Sequence, residues 1–421
     1  MMSPAPENSG QPARMPPKMA ALVFLAFAAA YACSALVRAI TATLSPVLTQ
    51  DFSLQARDLG LLAGGYFLGF AVTQLPLGVW LDHFGPRRVM VYFLSVAVIG
   101  CLAFSVASSF AGLLASRVLI GMGVSACLMA PLTGYRRWFD TATLLRANSW
   151  MLMSGSLGML ASTLPVQWLM PHTGWRALFW MLAVMMGLSM LAIAWVVPAW
   201  SSPASTNNPP NSGADNATYA VIWRSAYFRK MAPLAFFNYG GLVAIQTLWA
   251  APWMVKVAGY TPLQAATGLF YINAAMLLTF WFWGMVNPLL AKNGWHADRL
   301  LTWGGPLSLL ALGVNMVGGA ATGWLGWALF CMASSVFGLS QPAVGMAFRP
   351  ALAGRAMSAY NLVIFAGVFV VQWGFGLLVD AFMAQGLTTV ASFQAALAVF
   401  LCCASASYAY FLSCKADNSI Q

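Results

Sequence analysis

Long apolar runs alternate with short polar breaks along almost the whole chain. Twelve runs approach or exceed the roughly 20 residues that a helix needs to cross a bilayer. They cover 20–48, 59–81, 88–109, 111–135, 146–169, 175–197, 230–256, 263–290, 299–319, 321–347, 355–380 and 389–413. The pattern predicts an all-α polytopic membrane protein with twelve transmembrane helices, numbered here 1 to 12. Pro46, Pro131 and Pro252 fall inside runs. Such breaks are tolerated where a neighbouring helix or a wet cavity satisfies the freed backbone groups.

The polar intervals divide the chain. Residues 1–19 are Pro-rich and polar and read as a disordered tail. The run that follows is too long for a signal-peptide core and has no clear cleavage site, so it is a first membrane helix. The longest polar interval, 198–229, is rich in Ser, Asn and Pro and reads as a linker. It separates bundles of six helices at 20–197 and 230–413, and a short tail of 414–421 ends the chain. The halves look like repeats. Leu36-Val37 and Pro46 correspond to Leu242-Val243 and Pro252. Arg146-Ala147-Asn148-Ser149 corresponds to Arg355-Ala356-Met357-Ser358, and Gln167-Trp168 to Gln372-Trp373.

Composition agrees. Charged residues make up 7%, against about 25% in soluble domains. So much apolar surface needs lipid to cover it. The formal charge of +11 is a matter of placement: with the N-terminus inside, 15 of the 20 Lys and Arg fall in inner segments, as the positive-inside rule requires. Both termini are therefore expected in the cytoplasm, and no nucleic-acid partner is needed. The seven cysteines show no metal-ligand spacing, and the three histidines are dispersed over loops. No metal, cofactor or nucleotide site is expected, and no enzymatic motif occurs.

One segment between helices 2 and 3 is dense in charge and punctuated by glycine: Gly78-Val79-Trp80-Leu81-Asp82-His83-Phe84-Gly85-Pro86-Arg87-Arg88. It resembles the loop between helices 2 and 3 of the major facilitator superfamily, with Gly78, Asp82, Gly85, Arg87 and Arg88 matching. His83 stands where a basic residue is usual. Ala115-Ser116-Arg117-Val118-Leu119-Ile120-Gly121 is similar to that family's helix 4 motif. The resemblance implies two pseudo-symmetric six-helix bundles, a solute site between them and alternating access. It implies a gating role for Asp82 against Arg87, Arg88 and Arg136 or Arg137, and a coupling role for Arg117, for which snorkelling at a helix end is the alternative. Between helices 8 and 9, Asp298 and Arg299 belong to a degraded copy of the loop.

Arg38 is the leading candidate for solute binding. A central Arg on a membrane helix costs about 2.5–3.5 kcal/mol even on a lenient scale. Tyr31, Ser34, Arg38, Thr41 and Ser45 recur at helical spacing, so one face of helix 1 is polar and reads as a cavity wall. The alternative is an Arg bonded to backbone carbonyls. The position resembles that of a helix 1 Arg in organophosphate exchangers and sugar-acid symporters. Those exchangers carry a second Arg in helix 7, where the repeat offset here gives Ala244. One Arg with amide and aromatic partners points to a monoanion. Tyr239, Gln246 and Trp253 share a face of helix 7, and Tyr66, Tyr271 and Asn361 are further candidate contacts. Gly155 and Gly158 are expected to serve packing. No acid falls at the centre of a helix, Asp380 coming nearest, which argues against proton symport.

The chain is thus expected to be a secondary or facilitative transporter of a small organic anion, monomeric, in a bacterial inner membrane. A proton or counter-anion is an open further partner. A drug or metabolite exporter and a transporter-like sensor are the alternatives.

Overall fold

The computed structural model describes residues 15–139, 141–200 and 219–414, and all regular structure among them is helical. Nine helices are long and apolar enough to cross a membrane. Turns at Gly85, Gly174 and Gly319–Gly323 divide three of them, and twelve spans result. These are α1 Pro17–Phe52, α2 56–84, α3 86–106, α4 110–138, α5 141–173, α6 175–196, α7 Ala226–Lys256, α8 Pro262–Lys292, α9 Ala297–Gly318, α10 323–346, α11 Pro350–Ala384 and α12 Thr389–Ser413. At Gly85 the chain turns at φ 75°, a conformation glycine reaches without a Cβ clash. That makes the tight reversal expected at this loop.

The expected boundaries shift at several places. Most of the 198–229 linker lies outside the described residues, but its end is structured. Residues 219–224 are helical and α7 starts at Ala226, because Tyr227, Phe228 and Met231 bury their side chains. Helix α11 extends back to Pro350, so Arg355 lies inside the helix and does not open it. The tails, 1–14 and 415–421, also lie outside the described residues.

Small residues set how closely the helices approach. A methyl group on Gly69 would stand 2.1 Å from the Val118 carbonyl oxygen, and one on Gly121 1.9 Å from that of Tyr66, so α2 and α4 touch backbone to backbone. Gly155 and Gly158 serve packing as expected, against Tyr31 and the Ala32 carbonyl of α1. Helices α2 and α4 both break mid-span, at Thr73 and Ser125, and the two hydroxyls hydrogen-bond at 2.8 Å. Ser125 also donates to the Met122 carbonyl at 2.8 Å, so its side chain takes up a carbonyl at the break.

The halves meet chiefly along α2 and α11. A methyl on Gly60 would meet the Gln372 carbonyl and one on Gly376 that of Ala56. Near the other end, Gly78 faces Ser358. Helix α1 also meets α7 along 245–256. This interface places the centre of α1 between the halves.

Candidate functional site at the centre of the two halves

Arg38 keeps part of its surface accessible, while Ser34, Thr41 and Ser45 on the same stripe are buried. The cavity wall expected from the whole stripe therefore narrows to Arg38. Tyr31, at 9% exposure, lies at the margin. Ser45 turns its hydroxyl back to the Ala42 carbonyl, and Thr41 Oγ1 is buried without a partner. The groups acting electrostatically on the guanidinium are the phenols of Tyr66, Tyr31 and Tyr239, with no carboxylate among them. Its Nε is buried and has no hydrogen-bond partner. Tyr66 comes from α2, donating to the Ser34 carbonyl at 3.4 Å. Tyr239 comes from the second half.

Helix α7 carries two π-helical turns, Ala235–Tyr239 and Ile245–Trp249. Such turns shift the register of everything beyond them. Tyr239 ends the first and is partly exposed, its ring edge 3.4 Å from a methyl that would replace the Gly338 hydrogen. The shared face with Gln246 had pointed to Tyr239. Its approach to Arg38 depends on how the halves pack. Ala244 is fully buried, so α7 brings no second cation at the repeat position.

The amides turn out to be ties between helices. Gln246 donates to Asn273 Oδ1 at 2.9 Å, joining α7 to α8. Gln341 donates to Asn361 Oδ1 at 2.6 Å, joining α10 to α11. Tyr271 is placed away from Arg38, contrary to the expected contact. It is 47% exposed, packs on Trp324 and shares a face with the exposed Leu278 and Phe282. Trp253 is buried edge-on against Trp327.

Arg117 does not snorkel. It is 1% exposed and donates to the Val37 carbonyl at 2.9 Å, one residue from Arg38, with its guanidinium 5.6 Å from the Phe104 ring centroid. The carbonyl-bonded arginine is thus Arg117, and Arg38 is the one with an open face.

At the basic end of the molecule the expected partners of Asp82 change. Among the described residues no ion pair joins it to Arg87, Arg88 or Arg136. Arg355, at the start of α11, is the charge acting on it. The loop is covered instead by Trp200, just past α6. Its indole N–H donates to the Asp82 carbonyl at 3.3 Å, and Arg137 lies 4.6 Å over its ring. A methyl on Gly85 would strike that ring at 2.1 Å. Asp298 accepts from Tyr227 at 2.7 Å and Lys230 at 2.9 Å, a tie within the second half. At the opposite end Asp380 accepts from the backbone N–H groups of Ala56 and Arg57, at 3.1 and 2.8 Å, and so caps α2 from across the interface.

The sequence profile of the Major Facilitator Superfamily matches residues 27–372. The chain belongs to this superfamily. Inner membrane transport protein YajR of Escherichia coli (strain K12) is 27% identical over 256 residues, 58% of this chain and 52% of that protein. The gallate transporter of Pseudomonas putida is 23% identical over 285 residues, 59% of this chain and 62% of that one. The matched region thus spans little more than half of each relative. A bacterial homolog of the human lysosomal transporter Spinster, solved inward-facing and unoccupied, superposes with a TM-score of 0.77. It is 16% identical over 96% of this chain and 98% of that one, and so shares the fold. This superfamily member is built as a multi-pass membrane protein, and the relatives it matches are named as transporters.

Proposed function

We propose that this transporter carries a small organic anion, with Arg38 as the anion-binding group, by alternating access of its two halves. The observation that carries the reading is an accessible arginine at the interface of the halves, with a buried Nε lacking any partner and no carboxylate acting on it. A cation kept in a membrane interior needs compensation, and a bound carboxylate supplies it through the planar fork of the guanidinium. The gallate transporter is a relative whose named cargo is such an anion.

In this reading the end carrying Arg87 and Arg88 faces the cytoplasm of a bacterial inner membrane, the protein works as a monomer, and Asp82 with Arg355 forms part of the inner gate. Arg117 holds the α1 backbone beside Arg38 and so couples occupancy to helix position. The described helices offer no carboxylate near Arg38, which favours exchange or uniport over proton symport.

The test is binding of a carboxylate panel by calorimetry, with uptake into proteoliposomes for whichever acid binds. Arg38→Lys keeps the charge but loses the fork, and should weaken both about tenfold or more. Arg38→Ala should abolish them with the protein still monodisperse. Unchanged uptake by Arg38→Ala would make the arginine structural and remove the anion reading.

A further inference from the structure

Building on Arg38 as the anion site, we propose that the carried anion is a monocarboxylate with a flat aromatic body, and that Tyr239 is the residue of the second half that selects it. The polar surroundings of the guanidinium are phenolic: Tyr31 and Tyr66 from the first half and Tyr239 from the second. Behind this surface, the buried Tyr66 and Phe70 back onto the partly accessible Phe365. Tyr66 and Phe70 have ring centroids 6.1 Å apart. Phe70 then meets Phe365 of α11 at 4.3 Å, across the interface between the halves. A ligand held by its carboxylate at Arg38 has the accessible edges of Tyr239 and Phe365 to lie against, with Tyr31 at the margin of the first half, and offset or edge-on ring pairs are favourable beyond their burial.

A polyol body fits this lining poorly. Each hydroxyl taken from water must find a partner, and an unpaired one is costly. The amides that would serve it already donate to one another or to Thr247: Gln246 to Asn273, Gln341 to Asn361, and Gln372 to Thr247 at 3.0 Å, and the unpartnered groups that remain, Gln372 Oε1 and Thr41 Oγ1, are fewer than the hydroxyls of a sugar acid. Opening those pairs to bind a sugar acid would undo the ties between helices. A phosphate dianion fits no better. It calls for a second cation, and Arg117 is 1% exposed and turned to the Val37 carbonyl.

Tyr239 has the geometry of a selecting residue. Its ring stands beside Gly338, where α10 leaves room for it, and part of it remains accessible. Arg38 and Tyr239 lie on different halves, so one ligand touching both reports its shape to the interface that moves.

The experiment is calorimetric binding to the purified full chain of benzoate, cyclohexanecarboxylate, D-glucuronate, phenyl phosphate and benzyl alcohol. The wild type should bind benzoate at least tenfold more tightly than glucuronate or phenyl phosphate, and severalfold more tightly than cyclohexanecarboxylate. Benzyl alcohol should not bind. Tyr239→Leu, which keeps bulk and loses the ring, should weaken benzoate about tenfold and bring it level with cyclohexanecarboxylate. Tyr239→Phe should retain most of the affinity and serves as the folding control. Tighter binding of glucuronate or phenyl phosphate that still depends on Arg38 would overturn the aromatic assignment and leave the anion reading standing. Binding that ignores Arg38→Ala would overturn the anion reading itself. Unchanged benzoate affinity in Tyr239→Leu, or no binding of any carboxylate, would overturn the proposal.

Discussion

Two arginines inside membrane helices, Arg38 of α1 and Arg117 of α4, meet different fates, and the difference is one of partners. Arg38 has an accessible face among three phenols. Arg117 is sealed, with one bond to the Val37 carbonyl and a buried Nε that has no partner. A buried cation so thinly compensated does not stabilise the fold, since its desolvation exceeds what one hydrogen bond and a distant ring return. Arg117→Met, of similar length and apolar, should therefore leave stability unchanged or raise it, by about 1–4 kcal/mol on the precedent of buried charges replaced by apolar residues. Transport should fall all the same. Thermal melting in detergent beside uptake checks this, and a lowered melting temperature would assign Arg117 a structural role. The motif around Arg117 was legible in the sequence. Its target was not, because the Val37 carbonyl lies 80 residues away along the chain.

At the scale of elements, the helix pair α2 and α11 carries the contact between the halves and has a carboxylate near each end. Asp380 accepts two N–H groups from the start of α2, where the helix leaves donors unsatisfied and its dipole favours negative charge. Asp380→Asn keeps the shape and loses the charge. The loss of a charged cap is worth about 1–2 kcal/mol, which should shift the equilibrium about 5–30-fold toward opening at that end. Spin-label distances between Gln55 and Gln385 would report it, and an unaltered distribution would deny Asp380 a latching role. The charge-dense loop with Gly78, Asp82 and Gly85 could be picked out from spacing alone. That Asp82 answers to Arg355 and that Trp200 covers Gly85 could not, since both partners arrive by tertiary packing.

For the whole molecule, the distribution of Lys and Arg sets an orientation that labelling can test. Single cysteines placed in 201–218 and in the two tails of a cysteine-free background should react only with reagents that reach the cytoplasm. Reaction of the linker from the other side would reverse the orientation and with it the assignment of Asp82 to an inner gate and Asp380 to an outer one.

Helical structure, a membrane setting, the approximate spans and reversals, and the anomaly of Arg38 were all readable from the amino-acid order. These follow from local quantities: run length, the price of a charge in lipid, and the backbone freedom of Gly85. Which polar groups reach Arg38 emerged with the packing of the helices. Tyr271 and Tyr239 are both amphipathic residues on apolar helices, and nothing local separates them. The packing of α8 turns Tyr271 outward onto Trp324, and a π-helical turn in α7 brings Tyr239 inward. The amides looked like ligands in the sequence because an unpaired amide in a membrane is expensive. In the folded protein Gln246 pairs with Asn273 and Asn361 with Gln341 across helix pairs, and that pairing depends on contacts no stretch of sequence contains.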